Sequence, residues 1–389
     1  MAAHTARPSG NSHQDAIKVV NPKALGADSL PAERIPIGVT GDYKPCIALL
    51  GNGELAVVAF HPNDMGGGRT LEDMIWFTSR DGGRTWPERR VIGLLGREPY
   101  FSVLRDGTLF ITTHLLEQDV RNTDGYVHCY LHRSTDNGKT WETLKISREE
   151  VPAAPEESCT RTNRNVLELN DGTIVFGVGA SCRPDYLWRS KDGGKTWDKT
   201  QTSNFRMPGK DEQSHPSIEE AVYWQAPCGD LLAILRVDQK LFPPLPGTEI
   251  PQETLDHFQR MVVYRSKDGG SNWFMEEEWG SYYGEMYPAV LRLQDGRLLL
   301  TFTVRAVRPP LGVQAVLGEE KPDGFSFDFE NDRLVIDAKT LLDMTSGGGF
   351  GPTVQLPDSA LVTAYSYRTA DDKTHLEVAR WRLPEAKSP

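Results

Sequence analysis

Cysteine is scarce in this sequence. There are five in 389 residues (Cys46, Cys129, Cys159, Cys182 and Cys228), an odd number with no Cys-x-x-Cys pair. A disulfide framework and a structural zinc are therefore not expected. Reduced thiols point to a cytoplasmic setting, or to a secreted or periplasmic one if a leader has been removed. Long apolar runs are missing too: none approaches the ~20 residues that span a bilayer, and the opening "MAAHTARPSGNSHQDA" has no apolar centre of a signal peptide. Positive charge is outweighed, with Lys+Arg 43 against Asp+Glu 54 and a net charge of −11. That balance argues against nucleic acid or an anionic membrane as the main partner, while a local cluster of cations can still hold an acidic ligand. No metal-ligand spacing, phosphate loop or dinucleotide fingerprint occurs, so no cofactor and no metal are expected. Nothing in the sequence fixes an oligomeric state.

Turns, by contrast, are plentiful, with Gly 36 and Pro 26. Six times an extended apolar stretch breaks at a two-residue turn and resumes: "PCIALLGNGELAVVAF", "YFSVLRDGTLFITT", "NVLELNDGTIVFGV", "AVYWQAPCGDLLAIL", "AVLRLQDGRLLLTF" and "TVQLPDSALVTAY". Asn-Gly or Asp-Gly between alternating apolar residues is the strongest short hairpin signal, because such turns need positive φ. The turn positions are Gly53, Gly107, Gly172, Gly229, Gly296 and Ser359, 54 to 67 residues apart.

A second repeat follows the first four hairpins: "TSRDGGRTW", "RSTDNGKTW", "RSKDGGKTW" and "RSKDGGSNW", with Ser79, Ser134, Ser190 and Ser266 at its head. A worn copy, "KPDGFSF", stands at 321–327. Each unit reads strand, turn, strand, loop, strand, box, strand. Six such units predict an all-β fold, a six-bladed β-propeller with four Asp boxes. One propeller domain is expected over 34–384, with an N-terminal tail at 1–33 and a C-terminal tail at 385–389. The last unit lacks a fourth strand after Leu383, so "AIKVVN" or "RIPIGV" is expected to close the ring.

In each box, Asp and Ser side chains suit bonds to their own turn, Gly takes positive φ and Trp packs into the blade. These are framework roles. Chain direction places the boxes on the bottom face, so chemistry is expected at the opposite rim. Reading strand ends there gives Tyr43, Lys44 and His61; Arg97, Glu98 and His114; Arg161, Asn163 and Arg164; Glu219, Glu220 and Arg236; Glu285, Tyr287, Arg305 and Arg308; and Phe350, Tyr365, Tyr367 and Arg368. Several arginines converging on a propeller axis need carboxylates or an anion between them.

The Asp boxes, over roughly residues 40–383, resemble the sialidase (neuraminidase) superfamily. That resemblance implies glycan cleavage by three arginines holding a substrate carboxylate, a Tyr–Glu nucleophile pair and an Asp acid/base. "EAVYWQAPCGDLLAILR" matches the family's fourth-blade pattern and carries over Glu220 and Arg236. Arg308, with Arg305 as rival, corresponds to the third arginine. The first arginine's register holds Tyr43 and Lys44; an off-register "RIP" at Arg34–Pro36 is a decoy. The nucleophile's register holds Phe350, while Tyr287 occupies the same register one blade earlier. Asp64, then Glu72, are nearest to the acid/base position.

Three functions fit these residues. The first is an exo-acting, sialidase-like glycoside hydrolase on an acidic or polar glycan. There Arg236, Arg308 and either Arg97 or Arg164 hold the anion, Glu220 acts as base or activates Tyr287 or water, and Asp64 or Glu98 protonates the leaving oxygen. The second is a polysaccharide lyase on uronic acid glycans, using His61 or His114 with Tyr43 or Tyr287. The third is a non-catalytic glycan-binding propeller, which Phe350 favours. The long loop "VDQKLFPPLPGTEIPQETLDHFQ" is expected to wall the pocket or bridge to a second subunit.

Overall fold

The computed structural model describes residues 13–151, 159–180, 183–206, 218–237, 260–279, 285–305, 310–337, 339–340 and 349–384. Arg308 and the loop at 238–259 lie outside them. Among the described residues the only helical piece is a 3-10 turn at Arg148–Glu150; the rest of the regular structure is strand.

Apart from Asn204–Arg206, which pairs parallel with Asn272–Trp279, the strands fall into up-and-down antiparallel blades. Blade one is Tyr43–Leu49, Leu55–Gly66, Arg69–Ser79 and Glu88–Ile92. Blade two is Arg97–Val103, Leu109–Leu115, His128–Ser134 and Glu142–Ile146. Blade three pairs Thr160–Thr162 and Leu167–Glu168 with Ile174–Ala180, then Arg183–Ser190. Blade four runs Ile218–Gln225, Leu231–Val237, Arg260–Ser266 and Asn272–Trp279. Blade five runs Glu285–Arg292, Arg297–Val304, Gly312–Lys321 and Arg333–Val335. Blade six is Thr353–Gln355, Leu361–Arg368 and Thr374–Trp381.

Its fourth strand comes from the other end of the chain. Ser29–Ile37 pairs antiparallel with Thr374–Trp381, Ile35 opposite Val378, so the "RIPI" segment closes the ring. The "AIKVV" segment has a different job. It belongs to His13–Val20, which pairs with both Ser29–Ile37 and Arg333–Val335 and so ties blade six to blade five. The expected boundary at residue 34 falls inside this closing strand.

Apolar side chains fill the gaps between blades. Leu55, Val57, Ile75 and Phe77 of blade one pack on Val362, Ala364, Leu376 and Val378 of blade six. The box turns hold this stacking in register. In the first, Ser79 Oγ donates to Asp81 Oδ1 (2.8 Å) and accepts from the Gly83 amide (2.9 Å), while the Thr85 amide and hydroxyl donate to the Asp81 carboxylate. The other three repeat this pattern. The box's second glycine position lies against the previous blade. A Cβ on Gly138 would sit 2.5 Å from the Trp76 ring, one on Gly194 2.4 Å from Phe110 and one on Gly270 2.3 Å from Leu187.

The arginine that precedes the serine completes the clasp. Arg133 Nε donates to Gly193 O in the next blade's box at 2.7 Å. Arg189 reaches Gly269 O, and Arg265 reaches Asp323 O in the worn copy. Arg380 of blade six donates to Gly82 O of blade one at 3.2 Å. The box motif is thus a joint between consecutive blades.

Gly138→Ala, with φ of 77° and no room for a Cβ, is expected to destabilise by roughly 2–4 kcal/mol through strain plus overpacking. Gly107→Ala has φ of 86° and open space around it, and should cost only about 1–2 kcal/mol. Urea unfolding of both variants checks the difference.

Candidate active site

The site is built by a repeated distortion. Lys44, Glu98, Glu220, Tyr287 and Phe350 each stand nine residues before their blade's turn position. All five take left-handed backbone conformations, with φ of 52°, 52°, 56°, 58° and 78°. The ladder slips at the same place in four of these blades, between Tyr43 and Cys46, Arg97 and Tyr100, Glu219 and Val222, and Met286 and Ala289. A bulge of this kind re-aims a side chain at the end of a strand. Here it sends residues from separate blades to one cavity of about 320 Å³, whose walls include Lys44, Glu98, Glu220, Arg236, Tyr287 and Arg305.

Two half-buried carboxylates organise the floor. Glu98 receives Lys44 Nζ, with Arg97 Nε at 3.7 Å and Arg164 Nη2 at 3.4 Å. The same Arg164 nitrogen also contacts Glu220, whose second oxygen lies 3.1 Å from Arg236 Nη1. Arg164 therefore clamps the two carboxylates together. Its guanidinium also lies over the rings of Phe350 and Tyr287, 4.6 and 5.0 Å from their centroids. Those two rings stack with centroids 4.4 Å apart.

Burial would raise the Glu98 carboxyl, but Lys44, Arg97 and Arg164 hold it well below the usual range, so it is a permanent anion. Burial, with Arg97 and Arg305 nearby, pushes Lys44 down to about 7 against the pull of Glu98. Burial likewise takes His114 down to about 3, leaving a neutral imidazole on the wall. Tyr287 is pushed above the ordinary phenol range, again by burial, and its hydroxyl accepts from Arg236 Nη1 at 3.2 Å.

Arg305 is the group with unspent capacity. It is 3% exposed, lies over the Tyr287 ring at 4.5 Å, and its Nε and Nη2 have no partner among the described residues. The cavity is lined by six cations (Lys44, Arg97, Arg161, Arg164, Arg236 and Arg305) and two carboxylates. Guanidinium groups in such excess are suited to pairing with an anion.

Not every expected residue arrives here. Tyr43 is adjacent, accepting from Arg97 Nη2 at 2.8 Å. Glu72 is buried behind Arg97, with its Oε1 3.1 Å from Arg97 Nη1. Asp64 is exposed in the protruding hairpin of blade one, where it accepts from the Gly66 amide. His61 turns away and bonds Asp42 at 2.8 Å; Asp42 also takes two bonds from Arg89. Strand parity accounts for His61. His114 and Arg236 stand seven residues past their turn glycines and Arg305 nine, all odd, whereas His61 stands eight past Gly53. Arg34 is buried in the seam of blade six, donating to Tyr365 Oη at 2.6 Å. Arg161 and Asn163, rim positions in the sequence, also line the cavity.

Arg305→Met should weaken inorganic sulfate binding about tenfold, the loss of a charge-assisted hydrogen bond. The wild-type affinity should fall as pH rises through about 7, where Lys44 loses its proton. Calorimetric titration with sulfate at several pH values measures both.

Residues 43–300 match the sequence model of a family described as BNR repeat-like domain. A xyloglucanase from Paenibacillus sp. is 31% identical over 147 residues, which is 36% of this chain and only 12% of that protein's length. Among solved structures, the α-L-arabinofuranosidase Arb93A of Fusarium graminearum aligns with TM-score 0.59 at 12% identity, covering 97% of this chain and all of that one. The intramolecular trans-sialidase of Ruminococcus gnavus aligns with TM-score 0.58 at 12% identity, covering 90% of this chain and 96% of that one. These likenesses establish the β-propeller fold.

Proposed function

The chain belongs to the BNR repeat-like domain family, and from that premise we propose that it is an exo-acting, sialidase-like glycoside hydrolase that removes a terminal acidic sugar. The observation that carries this reading is the pair Glu98 and Glu220, clamped by one guanidinium nitrogen inside a cavity rich in cations. A volume of about 320 Å³ suits one sugar ring with its substituents, which favours attack at a chain end. The named activities of its relatives, a xyloglucanase, an arabinofuranosidase and a trans-sialidase, all act on glycans. The cation excess favours an acidic sugar over a neutral one.

The nucleophile in this reading is a carboxylate. Phe350 occupies the register where a tyrosine would attack, and Tyr287 is kept protonated by burial, with no carboxylate among the described residues bonded to its hydroxyl. Carboxylates that share one nitrogen are near the ~5–5.5 Å spacing of retaining enzymes rather than the ~6.5–9.5 Å of inverting ones. Glu98, held ionised, attacks the anomeric carbon as the bond to the leaving oxygen breaks. Glu220 is given the general-acid role and passes a proton to that oxygen. Water then attacks the anomeric carbon, Glu220 takes the water's proton, and the ester to Glu98 breaks. Arg236 and Arg305 hold the sugar's acidic group. The lyase reading is weaker on this geometry, because a His114 pushed down to about 3 is a feeble base at neutral pH.

Mass spectrometry of products from a panel of sialosides and other acidic glycans should find products that sum to one water more than the substrate. Glu220→Gln should reduce the rate at least about a hundredfold. Unsaturated uronate products would move the assignment to a lyase, and binding without turnover would leave a glycan-binding propeller. The alkaline limb of kcat/KM should fall near pH 7 as Lys44 deprotonates. Lys44→Arg, which stays charged, should move that limb upward.

A further inference from the structure

The four Asp boxes act as internal controls for one another, and the third departs from the rest. In boxes one, two and four the tryptophan N–H donates to its own box glycine: Trp86 to Gly83 O at 3.1 Å, Trp141 to Gly138 O at 3.2 Å and Trp273 to Gly270 O at 2.9 Å. The equivalent acceptor in box three is Gly194 O, and Trp197 makes no bond to it. Its indole lies instead across Phe110, Phe176 and Trp188, with centroids 6.1 to 6.4 Å apart. Trp197 is half-buried, and its N–H is not among the buried polar atoms.

The displaced ring forms one wall of a cleft of about 450 Å³ between blades two and three, on the box face, opposite the candidate active site. The other wall is polar. Arg133 donates to the Glu142 carboxylate at 2.9 Å, and Glu142 is itself 74% exposed. Lys199 stands at the end of the cleft, paired with Glu150 at 2.6 Å. The cleft thus offers an aromatic face, a solvent-reaching indole N–H and an arginine–carboxylate pair with free lone pairs.

We propose that this cleft is a second carbohydrate-binding site, distinct from the axial cavity. The three features match the two sides of a pyranose ring, whose C–H face is apolar and whose hydroxyl edge both donates and accepts. The free N–H gives to a ring or hydroxyl oxygen, and the exposed Glu142 oxygen receives hydroxyl protons. A site of this kind holds part of a glycan at the bottom face while a chain end occupies the top. The choice of ligand class rests on the glycosidase reading above; the cleft's geometry does not.

The test uses the full chain carrying Glu220→Gln, titrated separately with sialyllactose and with xyloglucan oligosaccharides. The indole N–H region of a proton–nitrogen correlation spectrum is the readout, with the Trp197 peak assigned by its loss in Trp197→Phe. That peak is expected to move saturably with one of these saccharides. Glu142→Ala, a change at an exposed side chain, should weaken this shift about tenfold and leave hydrolysis of a small aryl glycoside by the otherwise wild-type chain unchanged. A Trp197 peak that stays fixed at millimolar saccharide, in a folded protein, overturns the proposal. So does a shift that Glu142→Ala leaves intact. A moving peak in a protein that hydrolyses nothing would retain the second site and refute the enzyme, so the two failures are distinguishable.

Discussion

The cavity depends on a backbone constraint more than on any single contact. Five residues that open the innermost strands adopt positive φ, and none of them is glycine. Each such residue costs of order 1–3 kcal/mol relative to ordinary strand geometry. A strand without the bulge would alternate its side chains between the two blade faces, where apolar packing would exclude a charge. With it, the bulged residue swings toward the cavity while the rest of the strand keeps its core alternation. The conformational strain and the placement of Lys44, Glu98 and Glu220 therefore have one origin. They persist because the apolar packing between blades over-determines the backbone there.

The boxes contribute rigidity on the other face. A glycine pressed against the previous blade, and an arginine reaching the next blade's box carbonyl, fix how consecutive blades meet. The axial ion pairs cross blade boundaries: Lys44 to Glu98, Glu98 to Arg164, Arg164 to Glu220. Pairs this buried are useful only if their geometry holds, because a buried charge that loses its partner is strongly unfavourable. Joints on the bottom face and bulges on the top face are thus two parts of one device. The repeats set the angles, and the irregular residues at their ends supply the chemistry.

Much of this was legible in the sequence because it is periodic. Turn glycines at regular spacing gave the blades, and Glu98, Glu220 and Tyr287 share one offset from those turns. The parity of second-strand positions would have separated Arg305, nine past its turn, from His61, eight past. What the sequence could not disclose is which rim groups meet. Arg164 is 66 residues from Glu98 and 56 from Glu220, and its choice of both depends on how three blades are rotated about the axis. Asp64 lies away from the cavity for a different reason. The second and third strands of blade one continue past the rim as a paired hairpin to Gly66, carrying Asp64 outward. Nor could the sequence divide the N-terminal segment between its two tasks, since "AIKVV" and "RIPI" are equally good strands.

Charge balance gives the strongest reason to read the cavity as a binding site at all. The protein as a whole is acidic, at −11, yet its axis gathers six cations around two carboxylates. For framework purposes this is wasteful: apolar residues of similar size would pack a propeller axis as stably or more so. Neutralisation inside the protein is also incomplete, because Arg305 keeps buried donors that nothing among the described residues accepts. Lys44 sits at the edge of losing its proton because burial, with Arg97 and Arg305 nearby, works against the pull of Glu98. One anionic group placed against Arg305 and Arg236 would settle the excess, satisfy the orphaned donors and return Lys44 to its charged state. On the proposed reading, this charge balance favours an acidic ligand over a neutral one. A neutral sugar of the same shape could accept from those donors through its hydroxyls but would leave the excess charge uncompensated.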